Sequence, residues 1–314
     1  MAEASATPPR LLDRARFYGR AWYWAARPFT LSASVVPVLL GSAAALHDGA
    51  ASAVRFPLVL LGALLVQIGT NLVDEYADHR RTGGRGKLLA PYKVIALGLL
   101  SERAVKRGAL LVFAAATVLG LALVALVGWP LLLVCLLSLA AAYFYSAGPR
   151  PLGAVGLGEL TVALFMGPVM VLATYYVHTG SLTWNALLLS LPVACTVTAI
   201  LVANNLRDYE EDAESGKLTL VTWAGRRFGR WLWLGLVGTA LAAVIGVVAA
   251  RAEPPWLLFS LLATPQAALA ARPLLAAEAA RPALAGALRA TAAFHWRFGA
   301  LLSGGLLIAR MAAD

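Results

Sequence analysis

Long apolar runs separated by short polar breaks dominate the chain. Residues 108–149 contain no Asp, Glu, Lys or Arg, and Gly128-Trp129-Pro130 punctuates them as a tight turn between two helices would. Residues 160–206 form a second uncharged stretch, broken by His178-Thr179-Gly180-Ser181. A hydrocarbon layer of about 30 Å takes roughly 20 residues of apolar helix to cross, so each stretch predicts a helical hairpin through a bilayer. Shorter runs at 28–46, 56–73, 231–250, 256–271 and 292–308 predict one crossing each, the eighth being interrupted by Pro265 and Arg272. The strand-like alternation that a transmembrane barrel needs is absent. The expectation is an all-α polytopic membrane protein with nine transmembrane helices, divided into a basic N-terminal segment (1–27) and a transmembrane domain (28–310).

Composition agrees. Hydrophobic residues make up 60% and charged residues 13%, where a soluble domain carries about 25% charged. The net charge of +10 would point to nucleic acid in a soluble chain, but its distribution argues otherwise. Sorted by loops that alternate sides, 23 of the 26 basic residues fall on one side, leaving Arg55, Arg251 and Arg310 on the other. Basic residues stay on the cytoplasmic side, which predicts a cytoplasmic N-terminus, an external C-terminus and residence in the cell membrane. No nucleic-acid partner is expected. The polar, basic first 27 residues show no signal-peptide pattern. Cys135 and Cys195 lie inside apolar runs and read as small hydrophobes, and His47, His79, His178 and His295 show no metal-ligand spacing.

Acidic residues are scarcer and more informative. Asp74, Glu75 and Asp78 form one window, and Asp208, Glu210, Glu211, Asp212 and Glu214 form another, together eight of the 16 acids. Each window sits where an apolar helix meets the cytoplasmic side. Asn71, Asp74 and Asp78 follow i, i+3, i+7 spacing, and Asn204, Asp208 and Asp212 follow i, i+4, i+8, so each set lines one helix face. Bringing two such faces together without cations would cost several kcal/mol of repulsion at low dielectric. Oxygen-only ligands suit Mg²⁺, which binds through one or two carboxylates plus substrate phosphates. Arg80, Arg81, Arg207 and Lys217 interleave with the acids, completing a charge sandwich suited to a diphosphate. No Walker A loop accompanies them. A cation-coupled transporter is the rival reading, with intramembrane acids as ion ligands.

Several segments are similar to the UbiA superfamily of intramembrane prenyltransferases. They are Ala26-Arg27-Pro28-Phe29-Thr30-Leu31, Gln67-Ile68-Gly69-Thr70-Asn71-Leu72-Val73-Asp74-Glu75-Tyr76-Ala77-Asp78, Tyr145-Ser146-Ala147-Gly148-Pro149-Arg150-Pro151, Gly156-Leu157-Gly158-Glu159 and Asn204-Asn205-Leu206-Arg207-Asp208, the last continuing to Gly216-Lys217-Leu218-Thr219-Leu220. That final segment resembles the branch that prenylates 1,4-dihydroxy-2-naphthoate in menaquinone biosynthesis. This branch usually carries Asn-Asp-Tyr where this chain has Asp74-Glu75-Tyr76.

The resemblance implies Mg²⁺-dependent transfer of a polyprenyl group from a polyprenyl diphosphate to an aromatic acceptor, with loss of the naphthoate carboxylate. Asn71, Asp74, Asp78, Asp208 and Asp212 would hold two Mg²⁺ ions bridged by the diphosphate, the four aspartates being the catalytic set. Arg150, Arg207 and Lys217 would contact the diphosphate, and Tyr145 and Asn205 would line the pocket near the cleaved bond. The isoprenoid tail would lie between helices, open to membrane lipid, and the active site would face the cytoplasm. Other acceptors within the same chemistry are a futalosine-pathway naphthoate, homogentisate or a secondary-metabolite phenol.

Overall fold

The computed structural model describes residues 11–83, 92–276 and 279–313. Arg10, Arg85 and Lys87, counted above among the basic loop residues, lie outside them. The chain is helical: α1 (Leu11–Ala26), α2 (Ser32–His47), α3 (Arg55–Thr82), α4 (Glu102–Val127), α5 (Pro130–Ser146), α6 (Gly158–Leu164), α7 (Met170–Thr179), α8 (Trp184–Arg207), α9 (Tyr209–Glu214), α10 (Leu220–Ala249), α11 (Thr264–Leu275) and α12 (Arg281–Ala313). Among the described residues the sole β-type pairing is an isolated parallel bridge between Val155 and Leu218.

The polar punctuation does what its chemistry predicts. Gly128 ends α4 at φ 104°, a conformation that favours glycine, and Pro130 opens α5 at its first turn, where its missing N–H costs nothing. Gly180 ends α7 in the left-handed region, and the Thr183 hydroxyl caps α8 by accepting from Ala186 N. Thr219 and Thr222 cap α10 reciprocally.

Seven helices in the described residues are long and apolar enough to cross a membrane. They become eight when the bent pair Arg16–Thr30 and Ser32–His47, which turns by 55°, is taken as one span. Pro130–Ser146 is a shorter apolar helix. The nine crossings expected from the sequence are not reached by this measure, because α5 is shorter than the apolar stretch that contains it and the first apolar run joins α1 through a bend.

Two spans are irregular and carry Pro or Gly. Between α6 and α7 a π-turn, Phe165–Val169, contains Pro168 and a non-helical Gly167. A Cβ at Gly167 would meet Ala194 Cβ of α8 at 2.4 Å, so only glycine admits this approach. Before α11 the chain runs as a 3₁₀ helix, Pro255–Ala263.

The main core packs α12 against α2, α8 and α11, and α10 against α8, around Trp233, Phe294 and Phe298. A second cluster joins α1, α3 and α4 through Ala21, Ala25, Leu72 and Val105. α4 leaves Leu110, Leu111 and Val118 exposed, an apolar face that a bilayer covers. His178 and His295 tie helices together: His178 bonds Ser42 and Ser52, and His295 bonds Thr196 and the Ser32 carbonyl.

Candidate active site

The first acidic window occupies the last turns of α3, and its helical spacing puts Asn71, Asp74 and Asp78 on one face. Asn71 is buried and donates to the Ala26 carbonyl at 2.8 Å and to Thr30 Oγ1 at 3.0 Å, holding the kink after α1. At that kink Arg27 takes φ 52°, ψ 65°, a left-handed conformation that costs a non-glycine residue about 1–2 kcal/mol. The kink aims its guanidinium at Asp74 Oδ2, 2.7 Å away, while Ser146 Oγ donates to Asp74 Oδ1 at 2.8 Å. Arg27 also lies 4.7 Å over the Tyr92 ring. Lys93, 6% exposed, pairs with Asp78 and lies 3.6 Å from Glu75, whose Oε1 accepts from Ile95 N at 3.1 Å.

The second window differs in one respect from the expected continuous helix face. α8 ends at Arg207, Asp208 takes φ −98°, ψ 12°, and α9 carries Asp212. The i→i−4 bonds nevertheless run through the break, from Asp208 N to Asn204 O and from Asp212 N to Asp208 O, so the face is kept although the helix is not. Arg207 grips Asp208 with two donors, Nε to Oδ1 at 2.8 Å and an Nη to Oδ2 at 2.6 Å, and reaches Asn204 Oδ1 at 2.7 Å. Lys217 lies 3.3 Å from Asp212. Asn205 donates to Glu159 Oε1 at 2.9 Å, and Leu220 N donates to the same oxygen at 3.2 Å. The backbone bonds Gly156 N–Leu218 O and Leu218 N–Ala154 O then tie the loop before α6 to the start of α10.

Both windows face one cavity of about 1350 Å³. Nine of the ten sequence-predicted residues line it: Asn71, Asp74, Asp78, Tyr145, Asn205, Arg207, Asp208, Asp212 and Lys217. Arg150 is exposed and is not among the lining residues. Arg27 and Lys93 line the cavity as cations that the sequence reading did not assign to it. Away from the acids the walls become apolar, with Val59, Leu121, Leu131, Phe165 and Met170. One space thus has a charged end and an apolar body, the shape of an amphiphile with an anionic head.

Residues 34–298 match the UbiA prenyltransferase family. The chain belongs to that family. It is 33% identical over 290 residues to the 1,4-dihydroxy-2-naphthoate octaprenyltransferase of Bacillus subtilis, covering 92% of this chain and 93% of that protein. It is 34% identical to the enzyme of the same name from Mycobacterium tuberculosis, covering 83% and 88%. Its fold resembles a UbiA homolog from Archaeoglobus fulgidus bound to GPP and Mg²⁺, with a TM-score of 0.62, 16% identity, and coverage of 90% of this chain and 99% of that one. The chain is accordingly a prenyltransferase of the membrane, and the transporter reading gives way to an enzyme.

Among the described residues no three His, Cys, Asp or Glu side chains converge on one point, so no ready-made metal cage exists. The donor set still fits Mg²⁺: carboxylates stand on two walls of one cavity, and this ion characteristically completes its shell with phosphate oxygens and water.

Proposed function

We propose that the protein transfers a polyprenyl group from a polyprenyl diphosphate to 1,4-dihydroxy-2-naphthoate, with release of diphosphate and of the acceptor's carboxylate as CO₂. The observation that carries this reading is the single cavity on which two acid–cation walls meet an apolar body. Identities of 33% and 34% to naphthoate octaprenyltransferases over most of both chains support the acceptor. The 23-to-3 distribution of basic residues supports a cell-membrane location with the charged end of the cavity toward the cytoplasm.

Asn71, Asp74, Asp78, Asp208 and Asp212 would hold two Mg²⁺ ions, and bound Mg²⁺ would supply charge neutralisation for the departing diphosphate. Arg27, Lys93, Arg207 and Lys217 now neutralise the aspartates, and these same donors turn to the diphosphate oxygens when substrate enters. The apolar walls seat the isoprenoid and exclude water from its C1. The C1–oxygen bond breaks with its electron pair going to diphosphate. The naphthoate ring attacks C1, and the ring then loses CO₂ and restores its aromaticity. Tyr145, on the cavity wall beside the charged end, borders the reacting carbon.

Incubating purified membranes with Mg²⁺, prenyl diphosphates of mixed length and a panel of aromatic acids, followed by product mass analysis, tests this. The expected product is a prenylated naphthalenediol lighter by CO₂. A product only from homogentisate or another phenol overturns the acceptor, and no product from any acceptor overturns the reaction.

A further inference from the structure

A second cavity of about 570 Å³ lies at the opposite end of the bundle. Its walls come from the C-terminal ends of α2, α7 and α10 and the N-terminal end of α8. The charged end of the acid cavity lies at the C-terminal end of α8, 24 helical residues or about 36 Å away at roughly 1.5 Å each, while its apolar body runs to Thr174 and Val177 of α7.

Two carboxylates, Asp48 and Glu253, stand among the polar side chains of this space with His47, Tyr175, Asn185 and Arg251. Asp48 Oδ2 accepts from the Tyr175 hydroxyl at 2.6 Å. Glu253 is 8% exposed, lines the cavity, and among the described residues its carboxylate has neither a hydrogen bond nor an ion pair. His47 Nδ1, on the same wall, is buried with no hydrogen-bond partner. Leu189, Val248 and Pro255 supply apolar lining, and Arg251, which is exposed, lines the same cavity. The Glu253 carboxylate therefore opens onto the cavity without a donor from the described residues, and Asp48 beside it is exposed, so a donor brought by a bound molecule can satisfy both.

A cavity of about 570 Å³ is far larger than a bare ion needs, which points to a molecule as its occupant. The cavity is also many times the roughly 30 Å³ that one water takes up. An ammonium group does fit, because it brings three donors and no acceptor. Arg251 would then suit an anionic group on the same molecule.

We propose that this cavity binds a primary ammonium group through Glu253 and Asp48, supplied by an ethanolamine lipid headgroup or by a free small amine. The two sources share one chemistry and differ in whether a phosphate and acyl chains come with it.

Native mass spectrometry of the purified full chain, exchanged against equal amounts of phosphatidylethanolamine and phosphatidylcholine, tests the lipid source. Ethanolamine titration in lipid-free detergent, read by thermal shift with choline as the control, tests the free amine. Choline carries the same positive charge without N–H donors. The expected result is preference for the primary amine in at least one arm by about tenfold, the effect of losing one charged hydrogen bond. That preference disappears in Glu253→Gln and in Asp48→Asn. Lipid preference with no response to ethanolamine assigns the headgroup, and the reverse assigns the free amine. Equal behaviour of primary and quaternary amines in both arms of the wild type overturns the proposal, as does a preference that both variants retain. The wild-type comparison decides even if one variant does not fold, and prenyl transfer at the distant acid cavity stays unchanged in both variants.

Discussion

The Arg27 guanidinium lies 2.7 Å from the Asp74 carboxylate, and it reaches there because Arg27 itself adopts a left-handed backbone. Strain of about 1–2 kcal/mol held at one residue is thus spent on placing a cation at the charged end of the cavity. Arg27→Ala removes the cation and leaves Ser146 as the hydrogen-bond partner of Asp74 among the described residues. The expected outcome is a fall in kcat/KM for prenyl transfer of about 10²-fold, the scale seen when one positioned donor is lost. Arg27→Lys recovers part of it. Unchanged kinetics in Arg27→Ala would show that the pair is only structural.

Asp208 is 2% exposed and held by both donors of Arg207. Asp208→Asn keeps the shape and removes the charge. Mg²⁺-dependent transfer should be abolished in purified membranes, and excess Mg²⁺ should not restore it. Full activity in this variant sinks the metal-binding role.

Glu159 is a positioning residue. One of its oxygens accepts from Asn205 and from Leu220 N, so it joins α6 to the second acidic window and to the start of α10. Glu159→Leu leaves the buried Asn205 amide and the part-buried Leu220 N–H unmet, each at about 1–3 kcal/mol. Thermal melts in detergent should fall, and KM for the diphosphate should rise more than kcat drops. Glu159→Gln, which keeps an acceptor, should restore most of both.

Much of this was legible in the sequence because the signals are local. Gly128 and Pro130 declare a turn through their own backbone chemistry, and it stands where they predict. The spacing of Asn71, Asp74 and Asp78 declares a shared face, and all three line one cavity. Tertiary pairing left no such mark. Lys93 reads as one more basic loop residue, and only the fold presses it against Asp78 and Glu75. Glu159 stands in a recognisable segment, but its role is hidden for the same reason, since its partners Asn205 and Leu220 lie far along the chain. Arg150 shows the reverse, a motif residue that the fold leaves exposed. Helix count was the weakest reading, because apolar composition does not report where a run bends or where a helix inside it ends.

Gly167 predicts a packing failure. A Cβ there would sit 2.4 Å from Ala194 Cβ and 2.9 Å from Ala194 Cα, so backbone as well as side chain stands in the way. Gly167→Ala should destabilise the protein by about 1–3 kcal/mol, the usual scale of overpacking, read as a lower Tm in detergent. Ala194→Gly frees the Cβ contact and should recover part of the loss in the double variant.

Glu253 lies in the connection between α10 and the 3₁₀ segment that follows, outside the spans. Burial first, and then the charge of Asp48, push its carboxyl up from 4.5 to about 7. The groups that share its cavity are His47 and Asp48 from α2 and its end, Tyr175 from α7, and Arg251 from its own loop. A carboxyl whose folded pKa is raised binds more protons folded than unfolded between the two values, so stability falls as pH rises from about 4.5 to about 7 and is level above that. In detergent free of amine-bearing lipid and buffer, the wild type should therefore lose Tm relative to Glu253→Gln between pH 5 and pH 8. Adding a primary amine at pH 8 should close that gap, because a bound ammonium favours the ionised carboxylate. Parallel Tm curves for the two proteins across this range would show that Glu253 is already satisfied by the protein itself.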